Sequence, residues 1–518
     1  MRPREILIAV CLAVLLLAGP GRGDVGPEEA KLGYSLLDQW RVEEADTLAR
    51  SLVKANPDSG DAHFLDARVQ FYKGNYGQAA NILKTLSDSQ RTVRDFKSLV
   101  ERTREATAGF VSEQSEHFEF RYKGGPDRVL VHYARDALER SYQVLGGLFG
   151  HFPAEKIRVE IYPDKDPFSR ISPLTLKDIL TSGTVALCKY NRLMMISPGS
   201  LVRGYNWMDT LSHEYTHYLL AKISHNNVPL WLNEGIAKFF ESRWRGENNS
   251  MEPIMENVLA QGLANDYFIP LESMMPSLAK LKNAEDVQLA YAQVATMVDY
   301  LVSLKGERVI ADILADLGRE IPFEETWEKR SGKDLAEFQK DWKDYMKQKR
   351  LNAIPGLKVL AFQFKSDRKE KDDETDYGAI DDKTARDLAF LGDVLKSRSH
   401  VKAAILEYRK AVKESPSLSP ILHNKLAGTY LLAKEYDQAE ALLKESLKYY
   451  PAFHTTLANL GEIYYESGKY ELAGAYFESA VRTNPFNPFV HERLIAIDKK
   501  LGKTKEAELQ ARLYRYLE

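Results

Sequence analysis

The feature that most restricts this chain is a repeat. From 384 onward the same residue types return with a period of roughly 34 residues. Gly392, Ala427 and Gly461 share one phase, and Ala404, Ala439, Ala473 and Ala507 share a second. Tyr408, Leu443 and Phe477 share a third, while Pro416, Pro451 and Pro485 close the units. Tyr430 and Tyr464 add a further match. Small residues where two helices cross allow a close approach, and the proline ends the second helix. One such unit cannot bury its apolar face alone, so the units must stack into an all-helical array.

The pattern resembles the tetratricopeptide repeat (TPR). Three units span about 385–487, and a fourth, from Pro488 on, is worn at its consensus positions as a capping repeat would be. A fainter copy precedes them. Gly33, Ala45 and Pro57 fit one unit from about 26; Ala67, Ala79 and Leu83 fit a second from about 60. Two units alone are marginal, so they are expected to pack on a helix over 91–108.

Between the arrays the period breaks. The segments 117–122 (HFEFRY) and 157–162 (IRVEIY) alternate and read as strands, and 193–196 (LMMI) reads as a short buried strand. Helical spacing recurs over 128–149, 207–223, 230–244, 287–305, 307–317 and 335–347. The expected fold is therefore an α+β domain over 116–349 between all-α repeat arrays at 24–110 and 385–518, mostly α overall. A charged linker is expected over 350–384, since 365–382 is dense in Lys, Asp and Glu.

With 518 residues the chain is too long for one core. Its net charge of −3, with no basic block, argues against nucleic acid as a partner. Arg2 and Arg4, the apolar run 6–18, and Gly19, Gly21 and Gly23 read as a secretory signal over 1–23. The run is short for a membrane span, so no stable span is expected after cleavage; an uncleaved anchor is the alternative. No cysteine follows the run to accept a lipid, and Arg2 and Arg4 are not adjacent as a twin-arginine signal requires. Cys11 would leave with the signal, and Cys188 would remain alone, excluding an intramolecular disulfide. That fits a periplasmic or secreted bacterial protein. Cys188 itself reads as inert packing.

The chemistry concentrates at 213–217, His-Glu-Tyr-Thr-His. Positions four apart share a helix face, so His213 and His217 can grip one cation. Glu214, beside them, can take a proton from a metal-activated water and return it to a leaving amine. Trp207, Met208, Leu211, Leu219 and Leu220 supply buried faces for the helix. A catalytic zinc needs three protein ligands and an open position. Glu234, in Trp231-Leu232-Asn233-Glu234-Gly235, supplies the third if the chain reverses near Pro229. Glu241, two turns further along the same face, is a fallback ligand; His225 reads as a loop residue. Asp209, four residues before His213, could orient its ring. Asn233 could position Glu234 or cap the helix.

HEYTH followed by PLWLNEGIAKFFE resembles the gluzincin metallopeptidases, and most closely the bacterial peptidase MA-like domains that accompany tetratricopeptide repeats. The resemblance covers about 116–349. It implies a zincin-like catalytic domain with zinc (Zn2+) as cofactor and the Glu of Asn-Glu-Gly as third ligand. It also implies an oxyanion stabiliser on a later helix, for which Tyr291 is the candidate. The Gly-x-Met-Glu-Asn motif with which aminopeptidases of this type hold a substrate amine is absent. Leu220 and Ile223 stand where metzincins carry their Gly and third His. The expected function is an exported zinc metallopeptidase acting on peptide or protein substrates, with repeat surfaces that recruit substrate or a partner protein. The alternative is a cell-envelope TPR scaffold whose peptidase core is degenerate, and hydrolysis of a non-peptide amide is a third possibility.

Overall fold

A computed structural model describes residues 27–247, 251–367, 375–415 and 418–518. The expected signal with Cys11, and Pro416, lie outside them. Among the described residues no helix is long and apolar enough to cross a membrane. The chain forms two compact units, one ending at Glu105 and one starting at Ala106.

In the first unit α1 (Pro27–Asp38) with α2 (Val42–Ala55), and α3 (Gly60–Tyr72) with α4 (Tyr76–Lys84), form two helical hairpins, followed by α5 (Arg91–Ala106). Ser59 caps α3 by accepting from the Ala62 amide. Leu37, Ala45, Ala49, Leu65 and Val69 form the core. The glycine phase has a steric reason. A Cβ at Gly33 would lie 2.2 Å from the Leu65 side chain, so α1 and α3 cross closely at this glycine.

The second unit begins with a five-stranded sheet ordered β1-β2-β3-β5-β4. The strands are β1 (Val111–Gln114), β2 (Phe118–Tyr122), β3 (Ile157–Tyr162), β4 (Ala186–Lys189) and β5 (Arg192–Ile196). The β2–β3 and β3–β5 pairs are parallel, whereas β1–β2 and β4–β5 are antiparallel. The three strands expected from pattern are the inner ones, whose apolar runs are buried. Edge strands β1 and β4 carry no alternation over their four residues and escaped the pattern.

Helix α6 (Arg128–Phe149) leads from β2 towards β3; the short α7 (Lys165–Ile171) and α8 (Leu176–Ser182) lie between β3 and β4. The helix holding the HExxH residues is α9 (Trp207–Ser224). Its Trp207, Leu211, Tyr215, Leu219 and Leu220 are all buried, the mark of a helix enclosed on every side. Tyr215 meets Phe118 of β2 edge-on at 5.5 Å and stacks with Tyr142 of α6 at 6.4 Å. Six helices follow: α10 (Leu230–Phe240), α11 (Pro253–Asn265), α12 (Ala284–Lys305), α13 (Arg308–Gly318), α14 (Phe323–Ser331) and α15 (Leu335–Gln348). The middle is thus a small sheet followed by helices, as expected.

Eight helices in four hairpins complete the unit: α16 (Lys383–Ser397), α17 (Val401–Glu414), α18 (Pro420–Leu432), α19 (Tyr436–Tyr449), α20 (His454–Glu466), α21 (Tyr470–Thr483), α22 (Pro488–Lys500) and α23 (Thr504–Tyr514). Cβ atoms at Gly392 and Gly461 would lie 2.6 Å from Tyr408 and 2.9 Å from Phe477, so the first and third phases of the repeat are partners in one helix crossing. The array sits directly on the α+β domain. Gly204, just before α9, has φ +67°, and a Cβ there would lie 2.2 Å from the Thr483 carbonyl oxygen. The next amide, Tyr205, donates to that oxygen at 3.2 Å.

The stretch 350–384, read from sequence as a charged linker, is built in where it is described. Leu357, Phe364 and Ile380 are buried, Leu357 and Ile380 in the apolar cluster they share with Ile254 of α11 and the first repeats. Asn257 of α11 receives the Ile354 amide and donates to the Leu357 carbonyl. Phe364 forms a β-bridge with Leu201, and Lys165 holds Ser366 and Asp367 at 2.8 and 2.7 Å. Among its described residues Arg350, Lys358, Lys365, Asp367 and Asp381 are exposed.

Candidate metal centre

Helices α9 and α10 are joined by a tight reversal. His225 ends α9 in the left-handed conformation (φ 53°), and Pro229 opens α10 with its fixed φ. His225 is therefore a helix terminus outside the cluster. The reversal brings Glu234 back to the two histidines. One ligand atom from each of His213, His217 and Glu234 lies within 4.8 Å of the others. The Nε2 atoms of His213 and His217 each lie 3.5 Å from Glu234 Oε2. Ligands about 2.0–2.2 Å from one tetrahedral zinc stand about 3.3–3.5 Å apart, so the spacing fits that ion.

Hydrogen bonds behind the ligands set their aim. Asn233 Oδ1 accepts from His217 Nδ1, and Glu241 Oε2 lies 3.3 Å from His213 Nδ1. Both partners can only accept, so each Nδ1 carries hydrogen and each Nε2 turns towards Glu234. Lys238, one turn before Glu241, pairs with it and keeps it ionised. Burial alone would lower the pKa of His213, but Glu234 and Glu241 outweigh it and hold it up at about 10. Burial would raise Glu234, but His217 and His213 hold it well below the usual carboxylate range. A site that pulls a proton in this strongly has excess negative charge for a cation to neutralise. Two buried oxygens, Glu234 Oε2 and Glu214 Oε2, have no hydrogen-bond partner among the described residues. Two imidazoles, a carboxylate and these orphaned oxygens fit a zinc ion.

Glu214 is buried beside the cluster. Burial raises its pKa, aided by Glu234 and opposed by the two histidines and by a backbone hydrogen bond from Cys188. Edge strand β4 therefore runs past the carboxylate that would act as base. The Cys188 thiol is pushed up by its own burial and by Glu214, so it stays protonated and is no nucleophile. Tyr291 comes from the interior of α12, its ring 6.2 Å from that of His213 and its hydroxyl beside the Glu234 carboxylate. Burial, then Glu234 and Glu214, push this phenol far up, so it remains a donor. A cavity of about 350 Å³ opens on His213 and Glu214, with Asp209, Lys238, Glu241 and Tyr291 in its wall.

All five site residues expected from sequence meet at one place; three of their supporting neighbours differ from expectation. Asp209 does not orient His213. Arg245 grips it through Nε (2.9 Å) and Nη2 (2.7 Å), and the Trp244 indole donates to it at 2.8 Å. A charged fork and an indole outcompete the imidazole one turn away. Glu241 pairs with the Nδ1 side of His213 and lies outside the cluster of His213, His217 and Glu234. Asn233 serves His217 and not Glu234. The spacing of Glu241, two turns along α10 from Glu234, was the signal for it; nothing local marks Asn233 as a partner of His217.

A family model described as the Peptidase MA superfamily matches residues 153–348, and one described as the tetratricopeptide repeat matches 30–88 and 424–488. A Peptidase MA superfamily domain and tetratricopeptide repeats are thus both present. Small glutamine-rich tetratricopeptide repeat-containing protein 2 of Mycosarcoma maydis is 26% identical over 123 residues, 24% of this chain and 35% of that protein. The chain thus spans about a third of the length of that curated relative. Among solved structures, yeast LTA4 hydrolase in complex with bestatin is similar at 13% identity and a TM-score of 0.29, over 79% of this chain and 67% of that one. The structure titled MamA MSR-1 C2 is similar at 20% identity and a TM-score of 0.23, over 26% and 76%.

Proposed function

We propose that this chain is an exported zinc metallopeptidase of the gluzincin type, with His213, His217 and Glu234 as ligands and Glu214 as general base. The observation that carries the reading is the convergence of three ligand atoms, with Nδ1 partners behind both histidines and a buried carboxylate beside them at a cavity. Zinc held there supplies Lewis acidity to a carbonyl oxygen and to water. Glu214, its pKa raised by burial, is poised to take a proton from the attacking water and pass it to the leaving nitrogen. Tyr291, held protonated, is placed to donate to the oxyanion that develops on the carbonyl. Among the described residues β4 pairs only with β5 in the sheet, so its other edge can align an extended peptide past Glu214 by backbone hydrogen bonds. That geometry supports a peptide over a small amide as substrate. The basic and apolar segments within 1–23 support export. The repeats support contact with other proteins.

The test is metal content by mass spectrometry on the purified chain beside His217→Ala, together with peptide hydrolysis by Glu214→Gln. The expected result is about one zinc per chain, lost in His217→Ala. Glu214→Gln is expected to keep zinc while hydrolysis falls by about 10²–10⁴-fold. A wild-type chain that takes up no metal even when zinc is supplied refutes the proposal in favour of a repeat scaffold.

A further inference from the structure

The cavity beside His213 and Glu214 is not walled by the catalytic domain alone. Leu360 and Phe362 of the strap, Tyr450 and Phe453 at a repeat edge, and Ile254 and Met255 at the start of α11 also line it. These walls are fixed to one another. Leu360, Ile254, Tyr450 and Phe453 belong to a single apolar cluster continuous with the core of the first C-terminal repeats. The Tyr450 hydroxyl donates to the Lys358 carbonyl at 3.1 Å. Phe362 lies over Gly183, where a Cβ would come within 3.3 Å of its ring, and its centroid is 5.9 Å from that of Tyr205.

Several polar groups at this end are engaged, among them Arg203, whose guanidinium lies 5.9 Å from the Phe453 ring centroid. His454 uses one ring nitrogen on the Ala480 carbonyl (3.1 Å) and the other on the Asn487 amide (3.0 Å). Asp209 is held by Arg245, and Glu241 by Lys238 and His213. Val185 and Ala186, where β4 begins, line the same cavity. A peptide extended along β4 turns alternate side chains to one side, so one of them reaches this wall. The volume of about 350 Å³ lies at the small end of the range for ligand pockets, about 300–1,000 Å³.

We propose that this wall is a specificity pocket for one bulky apolar side chain next to the scissile bond, and that the strap and the repeat array form it directly. The inference rests on the peptidase reading. It gives the C-terminal repeats a role inside the active site, beyond any partner they hold elsewhere.

The test uses full-length protein loaded with zinc and titrated calorimetrically with the N-acetylated hydroxamates of phenylalanine, glycine and aspartate. The phenylalanine compound is expected to bind at least about tenfold more tightly than the glycine one, with aspartate weakest. Phe362→Ala is expected to shrink that preference, and Leu360→Lys to turn it towards aspartate. Both side chains are half-buried on an extended stretch, and circular dichroism checks that each variant is folded. Equal affinity for the three compounds, or a preference unchanged in both variants, overturns the inference and leaves the peptidase reading standing. Failure of every hydroxamate to bind the zinc-loaded chain overturns both.

Discussion

Replacing Gly235 by alanine tests how the third ligand is held. Gly235 follows Glu234 on α10 at the point where that helix crosses α12. A Cβ built there lies 2.6 Å from the Val294 carbonyl oxygen and 2.9 Å from Val298 Cγ2. The closer atom is backbone and cannot swing aside. The helices must part by at least about 0.4 Å to reach the shortest tolerable contact, and by about twice that to reach an ordinary one. Overpacking of this kind costs about 1–3 kcal/mol, offset by up to about 1 kcal/mol from the better helix former. The expected net loss is about 1–2 kcal/mol. The displacement matters more than the loss. Glu234 moves with Gly235, and a site tolerates only about 0.5 Å before its geometry degrades. Zinc affinity is expected to fall by roughly tenfold or more. Gly428→Ala is the control: it sits in α18 with no atom within 4 Å of a new Cβ, and is expected to be neutral or slightly stabilising. Urea unfolding with and without zinc, and competition with a chelator, measure both quantities. If Gly235→Ala unfolds within about 0.5 kcal/mol of the wild type and binds zinc equally well, the crossing does not position Glu234 and the reasoning fails.

Two further outcomes follow from the hydrogen bonds around the ligands. Asn233→Ala and Glu241→Gln are each expected to lower zinc affinity by about 10–100-fold while leaving the secondary structure intact; affinity unchanged in both would mean the Nδ1 partners do not aim the imidazoles. In the metal-free protein the His213 pKa is raised from its ordinary 6.5 to about 10. The stability this pairing contributes is complete below about pH 6.5 and is lost as pH rises through about 10. The Tm of the metal-free chain is therefore expected to fall across that window, and zinc affinity to rise across it as the competing proton leaves. A Tm that climbs between those pH values would show that His213 is not paired as described.

The helical repeats and the shared face of His213 and His217 are legible in the chain because both depend on local spacing. His213 and His217 share a face at any α-helical pitch, and the apolar residues around them require that helix to be buried. The repeat phases at Gly392 and Gly461 read as crossing points from spacing alone, and Tyr408 and Phe477 fill them. Inner strands showed themselves by apolar content; β1 and β4 did not, because an edge strand of four residues needs no pattern of its own. Asp209 misled for the same reason that His217 did not. Spacing reports which side chains share a face, whereas the partner is chosen by whatever arrives from elsewhere, here Arg245 and Trp244. Spacing along the chain specifies the repeat architecture, the α+β centre and the common helix face of His213 and His217. Tertiary packing places Glu234 beside the histidines, Asn233 and Glu241 behind them, β4 against Glu214, and the strap and repeat edge at the cavity. Those relations join segments far apart in the chain, and they arise from packing contacts that leave no periodic trace in either partner.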